Sequence, residues 1–213
     1  MNIALPRKVP TTRAAEGFDR RAFTVAECLR MQELGIIDSD ERYELIEGEI
    51  VPMQSKNYGH ERIKLALIRM LARTLPDHLQ LGVETSAYLS DITFFDPDLS
   101  IIPMGNTEHV RGPDILLAIE VANTTLAKDR GLKASVYAKY GVRELWVIDA
   151  NRLETHVHRD PVDGKWTKVE VRKADDLLTH PAAPEFSVRL SDRGSAISDV
   201  ALCRRAHSAA FCT

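Results

Sequence analysis

"IEVANTTLAKDRGLKASVYAKYGVRELWVID", residues 119–149, contains two apolar runs separated by a polar, helix-forming segment. The first run predicts a strand over about 115–122. The middle segment predicts a helix that Thr124 or Thr125 caps and Gly141 ends. "RELWVID" predicts a second, buried strand with Trp146 in the core.

Further elements are predicted on both sides of this segment. Thr24 and Glu27 have the spacing of a capping box and predict a short helix. "RYELIEGEIVPM" predicts two strands around a turn at Glu47 and Gly48. "HERIKLALIRMLARTLP" predicts an amphipathic helix that ends before Pro76. The remaining predictions are strands at about 80–90 and 98–103, and a hairpin formed by "LETHVHR" and "KWTKVEV" around "VDGK".

These elements predict an α/β or α+β fold, in which helices pack against the faces of a sheet. The chain has 213 residues, and 44% of them are hydrophobic, so it can bury one substantial core. We therefore expect a single domain over 21–190. Residues 1–20 lack periodicity and are predicted to form a flexible arm, and residues 191–213 are predicted to form a ragged tail.

Composition restricts the classes of function. The net charge of −3 provides no general attraction to nucleic acid, so a DNA-binding surface would have to be locally basic. Three cysteines without paired spacing argue against a disulfide framework and a zinc site. The sequence has no signal peptide and no apolar run long enough to cross a bilayer. We therefore expect a cytoplasmic protein with no membrane partner.

Asp98 and Glu120 lie at the ends of neighbouring predicted strands. Two buried carboxylates repel one another unless a cation lies between them. Mg²⁺ bound through their oxygens would remove this repulsion and could also bind a substrate phosphate. The alternative is that Asp98 caps a turn and Glu120 pairs with a lysine. Asp114 is a poorer partner for Glu120, because six residues of extended strand would separate the two side chains by about 20 Å.

The helix after the Glu120 strand carries a polar stripe. Asp129, Lys133 and Tyr137 recur every four residues and therefore share one face, whereas Leu126, Leu132 and Val136 lie on the others. If the helix packs behind that strand, the Lys133 ammonium can point toward the two acids. There it would orient the attacking water and offset charge on the phosphate. The alternative is a surface ion pair between Asp129 and Lys133.

Several of these segments resemble the Uma-two family of restriction-endonuclease-like proteins, in the PD-(D/E)xK nuclease superfamily. The resemblance covers about 23–190. It rests on "YELIEGEIVPM", the histidine at 60, "PDLSII" and, most specifically, residues 119–149. It implies a restriction-endonuclease-like core, which is a mixed central sheet flanked by helices, with a C-terminal hairpin.

The resemblance also implies roles for individual residues. Glu44, Asp98, Glu120 and Lys133 would be catalytic, and Asp98 and Glu120 would bind Mg²⁺, with Mn²⁺ as a possible substitute. His60 lies where the family commonly has a histidine, which predicts a phosphate or proton-handling contact. The alternative for His60 is a helix cap or a solvated side chain.

One position departs from the superfamily motif. The D/E-x-K pattern requires a lysine at position 122, where this chain has Ala122. The resemblance implies that Lys133, on the next helix, takes this role. Catalysis therefore depends on whether Lys133 points toward Glu120.

Other residues have both functional and structural interpretations. Tyr137 is predicted to bind substrate by stacking on bases, although packing explains it equally well. His156 and His158 share a strand face and could bind zinc, but an exposed hairpin face is the simpler interpretation. A basic set on the long helix could follow a DNA backbone or form an ordinary solvated face. It comprises Arg62, Lys64, Arg69 and Arg73.

The predicted function is Mg²⁺-dependent endonucleolytic hydrolysis of DNA by activated water. The alternative is a catalytically silent module that keeps the fold and binds nucleic acid or protein. Cutting both strands of a duplex is simplest with two sites related by a twofold axis, so we expect a homodimer.

Overall fold

The computed structural model describes residues 21–53, 58–105, 110–123, 126–181 and 183–193. The predicted arm (1–20) and residues 194–213 of the predicted tail lie outside these ranges. The chain divides into two compact units, each described by itself below. One comprises Met1–Ser55 and Tyr88–Phe95, and the other comprises Lys56–Ala87 and Asp96–Thr213. The single domain expected over 21–190 stays a prediction.

The helices and strands follow one another in a mixed α/β order. They are α1 (Val25–Glu33), β1 (Tyr43–Ile46), β2 (Glu49–Pro52), α2 (Tyr58–Thr74), β3 (Leu79–Val83), β4 (Ala87–Ser90), β5 (Thr93–Phe95), β6 (Leu99–Pro103), β7 (Leu117–Ala122), α3 (Leu126–Lys128), a π-helical segment (Asp129–Lys133), α4 (Ala134–Lys139), β8 (Glu144–Asp149), β9 (Glu154–Val162), β10 (Lys165–Arg172), β11 (Leu178–His180) and β12 (Ala183–Val188).

The first unit contains α1 and a small antiparallel sheet in the order β2-β1-β5-β4. The predicted capping box of α1 is present, because Thr24 accepts from the Glu27 amide and Glu27 accepts from the Thr24 amide. Glu47 and Gly48 both have positive φ, at 51° and 83°, as a tight hairpin turn requires. Apolar side chains of α1 and the sheet form the core, including Cys28, Tyr43, Leu45 and Phe94.

The second unit is built around a six-stranded sheet in the order β10-β9-β8-β7-β6-β3. The β7 and β8 strands are parallel, and the other neighbours are antiparallel, so the sheet is mixed as predicted. The chain between β7 and β8 supplies the helical segment 126–139. The predicted hairpin of β9 and β10 turns at Asp163 and Gly164, which both have positive φ.

The two faces of this sheet differ in chemistry. Alternate side chains, including Ile119, Val121 and Trp146, form an apolar core with α2 and the β11–β12 pair. The opposite face carries Glu120 and lies beneath 126–139, because the Tyr137 hydroxyl contacts Glu120 and the Trp166 ring donates to the Ala134 carbonyl. The polar face is therefore buried under a helix.

Two predicted elements have different bounds, and one pair of strands was not predicted. The strand predicted at 80–90 is two strands, because Glu84 adopts a φ of 47° that extended chain cannot continue through. The strand predicted from 115 begins at Leu117, and Gly112–Asp114 before it is a short 3₁₀ turn. The β11–β12 pair was not predicted. Among the described residues, no helix is long and apolar enough to cross a membrane.

Candidate active site

Asp98, the residue just before β6, and Glu120 of β7 are both buried, with 4% and 5% of their surface exposed. The antiparallel register pairs Leu99 with Ile119. One further residue along this register brings Asp98 opposite Glu120, where Cβ atoms are typically about 5 Å apart. The Val121 amide donates to Asp98 Oδ2 at 2.8 Å, which fixes the carboxylate against β7. The structure thus brings the two predicted metal ligands together.

His60 lies in the first turn of α2 and is 7% exposed. Its Nε2 is 2.9 Å from Asp98 Oδ2, and its Nδ1 is 3.2 Å from Glu61 Oε1. The ring therefore bridges two carboxylates. The solvated alternative for His60 is wrong, since the side chain is buried and directed at Asp98.

Lys133 and Tyr137 approach Glu120 from the covering helix. The Lys133 ammonium is 2.7 Å from Glu120 Oε1, and the Tyr137 hydroxyl donates to the same oxygen at 2.7 Å. Both side chains are buried. The prediction that Lys133 points toward the acids is confirmed for Glu120, whereas its catalytic role stays a prediction.

The polar stripe is the buried face of this helix. Asp129 and Lys133 are 6% and 4% exposed, whereas Leu132, predicted for an apolar face, is 51% exposed. Asp129–Lys133 is a π-helical turn, which widens the helix at the point where its polar side chains meet the sheet. The predicted surface pair of Asp129 and Lys133 is therefore wrong, because both side chains are inside.

Tyr137 and Glu44 are the remaining predicted site residues. Tyr137 has no exposed surface, and its hydroxyl contacts Glu120. Its predicted stacking on bases stays a prediction. Glu44 is buried in β1, opposite Val51 of β2, in the first unit. Its predicted catalytic role stays a prediction.

His156 and His158 were predicted to lie on an exposed hairpin face, and this is wrong. They are 6% and 5% exposed, because 126–139 covers their face of the sheet. Burial lowers the pKa of both, and the charge of Arg130 lowers each further; the pKa of His158 falls to about 4. Both rings are therefore neutral at pH 7. Both nitrogens of His158 are buried, and among the residues that the structure describes they have no hydrogen-bond partner.

Sequence reasoning missed the environment of Lys64, for which it offered only a DNA-backbone contact or a solvated helix face. The side chain is buried, and its ammonium pairs with Glu61 and Glu84. The spacing of Glu61 and Lys64, three residues apart on a helix, was the available signal. The other three basic residues of that set are exposed; they are Arg62, Arg69 and Arg73.

Comparison with known proteins agrees with this architecture. A family model described as "Putative restriction endonuclease" matches residues 25–191. The chain belongs to the Uma2 family. Asp98, Glu120 and Lys133 all lie within the part of the chain that the Uma2 model matches. No curated protein matches the sequence.

A solved structure shares the fold. It is described as a putative nuclease belonging to DUF820 from Anabaena variabilis ATCC 29413. The TM-score is 0.64 at 20% identity, and the match covers 82% of this chain and 98% of that one. This similarity supports the mixed sheet flanked by helices. Uma2 membership supports a nuclease-like function.

Proposed function

We propose that the protein is a divalent-metal-dependent endonuclease that hydrolyses DNA phosphodiester bonds. The observation that carries the proposal is the pair of buried carboxylates, Asp98 just before β6 and Glu120 in β7, with the Lys133 ammonium against Glu120. Two adjoining buried carboxylates with an ammonium 2.7 Å from one of them form an uncommon arrangement in a protein interior. Uma2 membership and the fold of the nuclease-like neighbour add independent support.

The donor chemistry of the two acids fits Mg²⁺, with Mn²⁺ as a substitute. Within the described ranges, no group of three or more His, Cys, Asp or Glu side chains could hold a metal ion. A site built on Asp98 and Glu120 would therefore leave several water ligands on the ion, which is how proteins usually bind Mg²⁺. The bound ion would supply charge to a phosphate oxygen and lower the pKa of a coordinated water.

Side chains of the protein would position the water and the two acids. Lys133 would orient the attacking water and offset charge that develops on the phosphate. Tyr137 would hold Glu120 in place through its 2.7 Å hydrogen bond. His60 would hold Asp98 through the 2.9 Å contact of its Nε2 with Asp98 Oδ2.

Plasmid cleavage tests this proposal. We expect the wild type to nick supercoiled plasmid with Mg²⁺ or Mn²⁺, and EDTA to abolish nicking. Asp98→Asn and Glu120→Gln keep side-chain shape and should remove the activity. Asp149→Asn is the matched control, because Asp149 is also a buried strand-end acid and an asparagine can still accept from the amides of Asn151 and Arg152. Nicking that survives in Glu120→Gln would overturn the proposal and favour a silent binding module.

We further propose that the protein acts as a cytoplasmic homodimer. A twofold pair of sites would cut both strands of a duplex in one encounter. Sedimentation of the purified protein tests this. A monomer that nonetheless linearises plasmid in a single binding event would contradict it.

A further inference from the structure

Lys64 lies inside the second unit, one helical turn after His60. Only 6% of its surface is exposed. Its ammonium is 2.8 Å from Glu61 Oε1 and 2.5 Å from Glu84 Oε1. Lysine is almost never this buried unless it is paired, and here it has two partners.

The electrostatics keep this ammonium charged. Burial alone would lower the pKa of Lys64, but hydrogen bonds from Glu61 and Glu84 outweigh that effect and raise it. The pKa of Glu61 is lowered, because Lys64 and His60 outweigh the opposing effect of burial. Both links are therefore charge-assisted hydrogen bonds, which are stronger than neutral ones.

One of these links leads to the Asp98 side chain. Lys64 holds Glu61, whose Oε1 is 3.2 Å from His60 Nδ1. The other ring nitrogen of His60 is 2.9 Å from Asp98 Oδ2. A continuous path of polar contacts thus runs from the Lys64 ammonium to one of the two acids of the candidate site.

The second link leads to the Asp98 backbone. Glu84 pairs with Lys64, and its amide donates to the Asp98 carbonyl at 3.3 Å. Glu84 has a φ of 47°, which is unfavourable for a non-glycine residue. Such a conformation persists only where surrounding contacts hold it. Lys64 is one contact of the Glu84 side chain.

We propose that Lys64, acting through Glu61 and Glu84, is a positioning residue for Asp98. It holds the His60 ring against the Asp98 carboxylate from one side and the β3–β4 turn against the Asp98 backbone from the other. The inference rests on the proposed function for its catalytic meaning, because Asp98 is the acid that would bind the metal. Its structural content concerns the metal-free protein and can be tested there.

The metal-free test is proton and ¹⁵N NMR of the His60 ring in three variants. Lys64→Met removes the ammonium, Glu61→Ala breaks the link to His60, and Glu84→Gly breaks the link to the turn. We expect the wild type to show a slowly exchanging ring N–H signal, and Lys64→Met and Glu61→Ala to lose it. Lys168→Met is the matched control, because Lys168 also pairs with a carboxylate but at an exposed site. An unchanged ring signal in both Lys64→Met and Glu61→Ala would overturn the proposal.

The second test is calorimetric titration of Mn²⁺. Loss of a group that supports a metal ligand typically weakens metal binding by about 10-fold or more, and we expect this in all three variants. Glu84→Gly is the most informative, because the relief of the positive φ offsets part of the stability lost when the buried Lys64 ammonium loses one carboxylate, so the denaturation midpoint should change little while Mn²⁺ affinity falls. If Lys64 only stabilised the fold, the denaturation midpoint and the Mn²⁺ affinity would fall together. Wild-type affinity in Glu84→Gly and Glu61→Ala would overturn the proposal.

The two tests separate this inference from the proposed function. If the wild type binds no Mn²⁺, the proposed function fails, and the His60 ring signal alone decides whether Lys64 has the positioning role. If Lys64→Met does not fold, Glu61→Ala decides, because Glu61 is partly exposed and alanine is a good helix former.

Discussion

The Lys133 ammonium lies 2.7 Å from Glu120 Oε1, although the two residues belong to different elements and both are buried. Position 122, where the D/E-x-K pattern would have a lysine, is Ala122 in this chain, so the lysine beside Glu120 comes from another element. Lys133 is the last residue of the π-helical turn in the covering helix. The site is therefore assembled across the sheet and the helix rather than along one strand.

Breaking this buried pair should strongly destabilise the second unit. Lys133→Met leaves the Glu120 carboxylate buried without its cation, which typically costs about 3 to 5 kcal/mol. Adding Glu120→Gln should restore part of that loss, because the residual buried charge is gone. Urea denaturation of the single and double variants measures the coupling. Additive effects of the two substitutions would contradict a direct charge pair.

Lys168→Met is the control for this experiment. Lys168 pairs with Asp160 at 2.8 Å, but both side chains are more than half exposed. Water already solvates such a pair, so the free energy of unfolding should be unchanged.

Removing the Tyr137 hydroxyl should lower the free energy of unfolding by less than Lys133→Met does. Tyr137→Phe keeps the buried ring and deletes the hydrogen bond to Glu120 Oε1. Hydrogen bonds to charged groups contribute about 1.5 to 3 kcal/mol, so the free energy of unfolding should fall by that amount. Tyr58→Phe is the control, since Tyr58 is 78% exposed. Equal effects in the two variants would show that the hydroxyl does not hold Glu120.

Two glycines offer a matched steric test. A Cβ at Gly112 would lie 1.9 Å from the Tyr140 carbonyl oxygen, whereas a Cβ at Gly131 meets nothing within 4 Å. Gly112→Ala should destabilise by about 1 to 3 kcal/mol, because backbone must move. Gly131→Ala should be neutral or stabilise slightly, since alanine favours helix. Thermal denaturation of the pair checks the close approach of the 3₁₀ turn to the end of α4.

The buried histidines predict how stability depends on pH. The pKa of His158 in the folded chain is about 4, below its ordinary 6.5, because of burial and the nearby charges of His156 and Arg130. The unfolded chain therefore takes up the proton first as pH falls. The contribution of neutral His158 to stability is present above pH 6.5 and is lost as pH falls toward 4.

His158→Leu tests this dependence. After allowance for solvent screening, neutral His158 accounts for about 2 kcal/mol of the stability lost across that pH range. The variant should lose correspondingly less stability on acidification, as measured by urea denaturation at several pH values. His78→Gln, which removes an exposed imidazole, is the control. An identical pH profile in His158→Leu and the wild type would contradict the assignment.

The sequence contained enough to predict the strand, helix and strand of 119–149, because their apolar periodicity and the terminal Gly141 are local signals. It also predicted that Lys133 could reach Glu120 if the helix packs behind the Glu120 strand. The reason is that Lys133 shares one helix face with Asp129 and Tyr137, which are four residues away on either side. Burial of that polar face was harder to foresee, because a stripe of Asp129, Lys133 and Tyr137 has the pattern of an exposed surface.

Other features had no local signal. The contact between His60 and Asp98 joins residues that are distant in sequence and depends on how α2 packs on the sheet. The break at Glu84 depends on a positive φ that its sequence does not favour. The burial of His156 and Lys64 likewise follows from tertiary packing. Their polarity alone favours exposed side chains.

The most direct test of the central claim is calorimetric titration of Mn²⁺ into the wild type and Asp98→Asn, followed by incubation of each with supercoiled plasmid and Mg²⁺. We predict that the wild type binds the ion and nicks the plasmid, and that Asp98→Asn does neither while its denaturation midpoint shows that it remains folded. Equal binding and nicking by both proteins, or no binding and no nicking by the folded wild type, would contradict a metal-dependent nuclease site at Asp98 and Glu120.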